Sequence, residues 1–143
     1  MTLRRLAQAA LVLALACPFV PAAPALAAAP AARALLQPPY PVEDFPPQVE
    51  RACRIWEKLG WPTDPRPVDF RIPGPEFIRG GNPYGNRSGD LPTNGRYREY
   101  DVNPRPTPST HRDAERMVRE EGTGQVWFTG DHYADFREIS EGC

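Results

Sequence analysis

Apolar residues recur at helical spacing in one segment of the chain. They lie three or four positions apart, and charged residues cover most of the opposite side. Proline at position 46 or 47 suits the first turn of a helix, and Gly60 followed by Pro62 favours its end. The pattern predicts an amphipathic helix whose apolar side packs in the core. Its apolar positions are Val49, Cys53, Trp56 and Leu59.

After the helix, the hydrophobic pattern changes to short alternating segments. Residues 97–102 alternate most clearly: Tyr97, Glu99 and Asp101 share one face, and the residues between them share the other. Further strands are predicted at residues 77–79, 115–118, 125–129 and 133–139. The glycine-rich segment 80–89 is typical of turns. A helix followed by short strands predicts an α+β fold, in which an N-terminal helix packs on a four- to five-stranded antiparallel sheet.

Residues 1–27 have the composition of a secretory signal peptide. Two arginines precede a short apolar run, and small residues mark a cleavage site after Ala27. The run is too short and too interrupted by proline for a transmembrane helix; the alternative is a retained anchor or a lipoprotein signal ending at Cys17. Residues 28–44 are rich in alanine and proline, which predicts a disordered leader ahead of one domain at residues 45–143. We therefore expect a secreted, extracellular protein that is not bound to a membrane.

The charge balance limits how the protein can bind nucleic acid. The full chain carries 17 basic and 18 acidic residues, and loss of residues 1–27 would leave a net charge of about −3. Tight non-specific binding to nucleic acid needs a basic field, so this balance argues against it. An enzyme with a local basic cleft is compatible with it. Arginine supplies nearly all the positive charge, since Lys58 is the only lysine.

Two cysteines remain once the signal peptide is removed, Cys53 in the predicted helix and Cys143 at the C-terminus. An even number of cysteines in an exported protein predicts a disulfide, which would tie the helix to the C-terminus. The alternative is a pair of free thiols, with Cys53 buried on the helix.

Four side chains in the C-terminal half have the chemistry needed to cleave a phosphodiester without a metal. A carboxylate can accept a proton, an imidazolium can donate one, and guanidinium groups can hold a phosphate. The four are Glu99, Arg112, Arg116 and His132. Each alone is equally well a surface or salt-bridge residue, and His111 is interpreted as a solvated loop residue. Asp131 and His132 match no metal-ligand spacing, so neither a metal nor another cofactor is expected.

Four short motifs follow one another in this half of the chain. They are Asn86-Arg87-Ser88-Gly89-Asp90-Leu91-Pro92, Arg98-Glu99-Tyr100-Asp101-Val102, Arg112 with Arg116-Met117-Val118, and Thr129-Gly130-Asp131-His132-Tyr133-Ala134-Asp135-Phe136. In this order and spacing they resemble the microbial guanyl-specific ribonuclease family, which includes barnase and its disulfide-bonded extracellular relatives. The resemblance covers about residues 46–143 and implies the microbial ribonuclease fold. The terminal Cys143 also resembles the disulfide-bonded branch.

The resemblance implies a role for each of the four side chains. Glu99 corresponds to the general base that takes the proton of the ribose 2′-hydroxyl, and His132 to the general acid that protonates the leaving 5′-oxygen. Arg112 and Arg116 correspond to the arginines that bind the scissile phosphate. The implied activity is metal-independent endonucleolytic cleavage of RNA by transphosphorylation to a 2′,3′-cyclic phosphate, followed by hydrolysis.

A base-recognition loop, and an aromatic residue beside the catalytic histidine, are also implied by the resemblance. The residues are Tyr84, Gly85, Asn86, Arg87, Ser88, Asp90 and Tyr133. Ser88 stands where the family usually has a glutamate that accepts hydrogen bonds from guanine, and a serine oxygen is a weaker, uncharged acceptor. Asp90 would restore a carboxylate if the loop bends. Cleavage after a purine, guanine first, is the expected preference.

A second departure from the family is the segment between Val102 and Arg112, which is longer than usual and rich in proline. It lies next to the phosphate-binding arginines in sequence and can reshape that end of the cleft. The resemblance further implies an RNA substrate, a monomeric state and a small acidic protein inhibitor of the barstar type. Two other functions are consistent with an α+β domain: a non-catalytic module that binds nucleotides or a protein, and a purely structural secreted domain.

Overall fold

The computed structural model describes residues 38–143 of the chain. A 3₁₀ turn at Val42–Asp44 precedes helix α1, Pro47–Lys58. Six strands follow: β1 Val68–Ile72, β2 Glu76–Tyr84, β3 Tyr97–Asp101, β4 Arg116–Glu120, β5 Val126–Thr129 and β6 Arg137–Ile139. Each strand pairs antiparallel with the next, in the spatial order β1 to β6. No helix within residues 38–143 is long and apolar enough to cross a membrane.

Helix α1 forms where the apolar spacing predicts it, and its apolar side is buried. It packs against the inner face of the sheet, and the indole Nε1 of Trp56 donates a hydrogen bond to the carbonyl oxygen of Asp101 (2.8 Å). Full burial of each large apolar side chain contributes roughly 1.5–3 kcal/mol. The predicted packing of an N-terminal helix on an antiparallel sheet is confirmed. The core between them includes Val49, Ala52, Cys53, Trp56, Tyr100, Met117 and Phe128.

The outer face of the sheet carries a second, smaller apolar cluster. Glu99 lies opposite Val118, and Val118 lies opposite Trp127, so these three side chains share the face that points away from α1. The alternation predicted for residues 97–102 is confirmed, because Tyr100 packs on the helix side. The outer cluster comprises Leu91, Tyr97, Val118, Trp127 and Phe136. Glu99 therefore lies beside a packed apolar floor.

The sheet has six strands rather than the four to five predicted. Strand β1 alternates apolar and polar residues, but the prolines around it hide the signal in the sequence. At the other edge, β6 covers only Arg137–Ile139 instead of residues 133–139, because residues 130–136 form a loop. The loop is part of the candidate site described below.

Strand β2 continues through glycines that the sequence predicts to be turns. Two rings pack over Gly80, and a Cβ there would lie 2.5 Å from Tyr100 Cδ1 and 2.7 Å from Trp56 Cη2. The register shifts between Gly80 and Asn82, and Gly81 in this bulge has φ 88°. The prediction of turns over residues 80–84 is wrong, because here glycine permits close packing and a bend within a strand.

Residues 40–44 belong to the folded unit, although they fall in the segment predicted to be a disordered leader. Tyr40 forms a parallel bridge with Ile139, and its amide donates a hydrogen bond to the carbonyl of Glu138 (3.1 Å). Val42 is buried, with 6% of its surface exposed. The free edge of β6 offers backbone partners to this segment, so it becomes ordered. The predicted signal peptide, and the leader up to residue 37, lie outside the described residues.

Cys53 and Cys143 form the predicted disulfide, which links α1 to the C-terminus across a sequence separation of 90. The alternative of two free thiols is therefore wrong. The bond lies on the helix side of the sheet, where Cys53 is fully buried. It connects the first long element of the described chain to its last residue.

Candidate active site

The Glu99 carboxylate is held between a phenol and a guanidinium on the outer face of the sheet. Its side chain is 13% exposed. Tyr133 Oη donates a hydrogen bond to Glu99 Oε2, and Arg112 donates from Nη1 and Nη2 to Oε1, each over 3.5 Å. A carboxylate in this setting has fixed partners and one open side. It can act as a proton acceptor when a substrate hydroxyl replaces the phenol.

The carboxylate of Asp101 links Arg112 to Arg116. Its Oδ1 accepts a hydrogen bond from Arg112 Nε (2.7 Å) and lies 3.6 Å from Arg116 Nε. Only 2% of Asp101 is exposed, and its charge is balanced by three cations, because Arg105 Nε lies 3.7 Å from its Oδ2. The sequence does not reveal this role. The one signal is that Asp101 follows Glu99 by two positions on the same face of β3.

The carboxylates of Asp101 and Glu99 favour the protonated form of the Arg112 guanidinium. Burial by itself would lower the pKa of this guanidinium, but the hydrogen bond and charge of Asp101, with the charge of Glu99, outweigh it and raise the pKa. Arg116 is more deeply placed, with 4% of its side chain exposed, and its Nη1 donates to the carbonyl of Glu115 (2.6 Å). Both groups are permanent cations whose N–H directions are set by the protein.

His132 lies in a tight loop that is stabilised by the side chain of Asp131. Asp131 Oδ1 accepts hydrogen bonds from Thr129 Oγ1 (2.9 Å) and from the amides of Ala134 and Asp135, each at 3.0 Å. The amide of Asp135, with further donors in the loop, holds the pKa of Asp131 below its ordinary value. His132 and Tyr133 have φ values of 61° and 74°, a left-handed conformation that is strained outside glycine. The Asp131 contacts offset that strain and leave His132 exposed.

The arginines and both histidines line one cavity of about 440 Å³. His111, which the sequence suggests is only solvated, is exposed but contributes to the wall of this cavity. The proline-rich segment is held by buried Arg105, whose Nη1 donates to the carbonyls of Pro108 (2.8 Å) and Thr110 (2.9 Å). These two hydrogen bonds fix the part of the chain that immediately precedes His111. The complete lining is His111, Arg112, Asp113, Ala114, Arg116 and His132.

The loop after β2 is closed by a single asparagine side chain. Asn86 Oδ1 accepts a hydrogen bond from the amide of Leu91 (3.1 Å), and Asn86 Nδ2 donates to the carbonyl of Leu91 (2.9 Å). Asn86 itself has φ 42°. The loop thereby exposes its central residues, which are Gly85, Arg87, Ser88 and Asp90.

Two tyrosines lie between this loop and Glu99. The rings of Tyr84 and Tyr133 are stacked, with centroids 5.0 Å apart and an interplanar angle of 29°. Burial raises the pKa of both phenols; the hydrogen bond to Glu99 adds to the rise at Tyr133, and the charges of Asp90 and Glu99 add to it at Tyr84. The phenol of Tyr133 therefore stays protonated at neutral pH and donates its O–H to Glu99.

Comparison with known proteins adds an independent observation. A family model described as ribonuclease matches residues 28–140, which is more than half of the chain. The chain belongs to this ribonuclease family. A crystal structure of ribonuclease Sa2 with guanosine-2′-cyclophosphate is 29% identical, covers 71% of this chain and 92% of that chain, and gives a TM-score of 0.45. No curated protein matches the sequence significantly.

Membership of the family confirms the resemblance to barnase-like microbial ribonucleases, and the protein is an endoribonuclease whose substrate is RNA. In this ribonuclease, Glu99, Arg112 and Tyr133 are in direct contact, and Arg116 is joined to them through Asp101. His132 lines the same cavity as both arginines, and its ring lies beside that of Tyr133, with the centroids 4.8 Å apart. The loop residues are less closely joined to Glu99: Tyr84 stacks on Tyr133, and Gly85, Arg87, Ser88 and Asp90 are exposed.

Proposed function

We propose that this endoribonuclease cleaves RNA by transphosphorylation, with Glu99 as general base and His132 as general acid. The observation that carries the proposal is the contact of the Glu99 carboxylate with Arg112, a residue that also lines the cavity containing Arg116 and His132. On this proposal a base, two phosphate-binding cations and an acid act on one phosphodiester.

In the first step, Glu99 takes the proton of the ribose 2′-hydroxyl as the 2′-oxygen attacks phosphorus. The bond from phosphorus to the 5′-oxygen breaks, and His132 supplies the proton that this oxygen needs to leave. The product is a 2′,3′-cyclic phosphate. In the second step, His132 takes a proton from water, water opens the ring, and Glu99 returns its proton to the departing 2′-oxygen.

Arg112 and Arg116 would stabilise the charge that develops on the phosphate oxygens. Their guanidinium groups are fixed by Asp101 before substrate binds, so little reorganisation is needed in the transition state. All the required groups belong to the chain itself, and the reaction as proposed needs no metal or other cofactor.

We propose further that the Tyr84–Tyr133 pair receives the base on the 5′ side of the cleaved bond. The two rings are stacked on each other, and either ring offers an aromatic face to a nucleobase. The exposed loop from Gly85 to Asp90 would then meet the base edge. With Ser88 in place of the usual glutamate, Asp90 is the anionic acceptor that the loop offers to the two N–H donors of guanine.

The setting of the reaction is also proposed. The disulfide favours an oxidising compartment, which agrees with a signal peptide at residues 1–27 and with secretion. A monomeric state is part of the same proposal. A small acidic inhibitor of the barstar type would complement the cations of the cavity. A binding module without turnover is the alternative on the same fold.

The test is cleavage of dinucleoside phosphates by the mature protein in excess EDTA, with guanosine, adenosine, inosine or uridine on the 5′ side. We expect release of the cyclic phosphate, fastest after guanosine, and a loss of at least 100-fold in Glu99→Gln. Asp90→Asn should reduce the preference for guanosine, whereas Asp44→Asn, which removes an exposed carboxylate in the 3₁₀ turn outside this loop, should not. Absence of turnover on every substrate would leave the binding module as the function.

A further inference from the structure

A second cavity, of about 380 Å³, lies where the end of α1 meets the β1–β2 hairpin and the chain after β3. No residue of its lining also lines the cavity that contains Arg112 and His132. The lining consists of Arg51, Ile55, Lys58, Leu59, Arg71, Ile72, Pro73, Glu76, Asn103 and Pro104. Its volume is within the range of sites that bind small molecules, roughly 300–1,000 Å³.

The floor of this helix–hairpin cavity is apolar. Ile55 and Leu59, on successive turns of α1, are partly buried and pack against the main core. Ile72 at the end of β1 is 8% exposed, and prolines at 73 and 104 complete the floor. An apolar surface in a concave site gains free energy when a ligand removes it from water.

The rim carries three cations without acidic partners. Within residues 38–143, none of the ion pairs includes Arg51, Lys58 or Arg71. All three side chains are exposed, and Glu76 is the only acidic residue in the lining. By contrast Arg54, which belongs to the same helix but does not line the cavity, is paired with Glu50. The cavity therefore combines an apolar floor with a net positive rim.

We propose that this cavity binds a small amphiphilic anion. An aromatic or aliphatic body would cover Ile55, Leu59 and Ile72, and one sulfonate, carboxylate or phosphate group would lie against the rim cations. Each exposed cation alone attracts an anion weakly. Three that line one cavity next to an apolar surface would give an anionic head group both affinity and orientation. The site is independent of RNA cleavage.

The probe is 8-anilinonaphthalene-1-sulfonate, whose fluorescence reports its binding. We expect one probe molecule per protein, and at least tenfold weaker binding to the triple variant Arg51→Gln, Lys58→Gln, Arg71→Gln. The matched control is Arg54→Gln, which removes one positive charge from the same helix outside the cavity and should change the affinity less than twofold. Equal losses in the triple variant and the control would overturn the inference.

Methyl NMR of the unmodified protein during the same titration locates the probe without any variant. Shifts concentrated at Ile55, Leu59 and Ile72 support the proposal. Shifts confined to the outer face, at the methyl groups of Leu91 and Val118, would mean that the sulfonate binds the catalytic cations instead, and the inference would be wrong.

Discussion

Asp101 is the residue on which the cation cluster of the site depends. It is buried, accepts a hydrogen bond from Arg112 and lies beside Arg116, so it fixes both guanidinium groups where a phosphate would bind. The pattern of the strand identifies its face but not its partners. Its contribution is positional, because the side chain lies beneath the arginines and not at the open side of the cavity.

We expect Asp101→Asn to lower both activity and stability. The substitution keeps the shape but leaves three cations, Arg105, Arg112 and Arg116, without this anion. The loss should reduce the free energy of unfolding by about 3 kcal/mol. Small displacements of the arginines should lower kcat/KM by about 100-fold. Denaturant unfolding and cleavage of a guanosine dinucleoside phosphate measure the two effects.

Glu121→Gln is the matched control for that variant, since Glu121 pairs with Arg96 and Arg98 and none of these three residues lines the cavity. It should lower stability while the folded protein keeps its kcat/KM. If both variants lose activity equally, the loss reflects general damage and Asp101 has no special place in the site.

The two histidines of the described chain line one cavity, yet we expect them to differ in function. His132 adjoins Tyr133, the hydrogen-bond partner of Glu99, whereas His111 belongs to the segment held by Arg105. His132→Ala should lower kcat by about 10²–10⁴-fold. His111→Ala should leave kcat nearly unchanged. Steady-state kinetics on one substrate compares them, and the reverse order would identify His111 as the acid.

At the scale of elements, the loop that presents His132 depends on the ionised form of Asp131. Its pKa is lowered in the folded protein by the amides it binds, so the unfolded chain takes up a proton at a higher pH than the folded one. The stabilising effect is therefore complete above the ordinary carboxyl range and is lost as the pH falls through the lowered pKa. Any carboxyl group whose pKa is lowered by folding likewise stabilises the protein more at high pH than at low pH.

Asp131→Asn should accordingly destabilise the protein at pH 7 by about 1 kcal/mol, a typical value for a side chain that caps backbone amides. The difference from wild type should shrink as the pH is lowered below about 4. Urea unfolding at pH 7, 5 and 3 provides the measurement. A difference that stays constant across this range would mean that the charge of Asp131 does not contribute.

Gly80 lies within strand β2, where the absence of a side chain allows two rings to pack closely. The rings of Tyr100 and Trp56 lie where a Cβ would be. We expect Gly80→Ala to reduce the free energy of unfolding by about 1–3 kcal/mol, because neither ring can move without disturbing the core. Gly85→Ala is the control, since its nearest neighbour would be Arg87 Cγ at 3.6 Å, an ordinary contact. Equal stabilities for the two variants would contradict the packing argument.

The elements that the sequence predicts well are those that bury one face. Helix α1 and strand β3 have a clear period because each separates the core from water. Residues 80–84 were not predictable in this way, because glycine signals turns locally and the two rings over Gly80 come from distant segments. The four candidate side chains follow from motif order. The position of His111 does not, because it depends on how buried Arg105 folds the segment before it.

At the scale of the whole molecule, the two faces of the sheet have different roles, one in the main core and one in the candidate site. Its inner face packs on α1 and carries the main core, and its outer face carries Glu99 beside the smaller cluster. The Cys53–Cys143 disulfide lies on the inner side, where it joins α1 to the C-terminus. Loss of this bond should therefore affect the stability of the domain far more than the geometry of the site.

The double variant Cys53→Ala, Cys143→Ala tests this separation. Without the cross-link the unfolded chain is less restricted, and we expect the free energy of unfolding to fall by about 2–4 kcal/mol. At 25 °C the folded variant should keep the kcat/KM of the wild type. Reductant should lower the stability of the wild type to that of the variant and leave the variant unchanged. A parallel loss of activity in the folded variant would mean that the outer face depends on where the disulfide holds the helix.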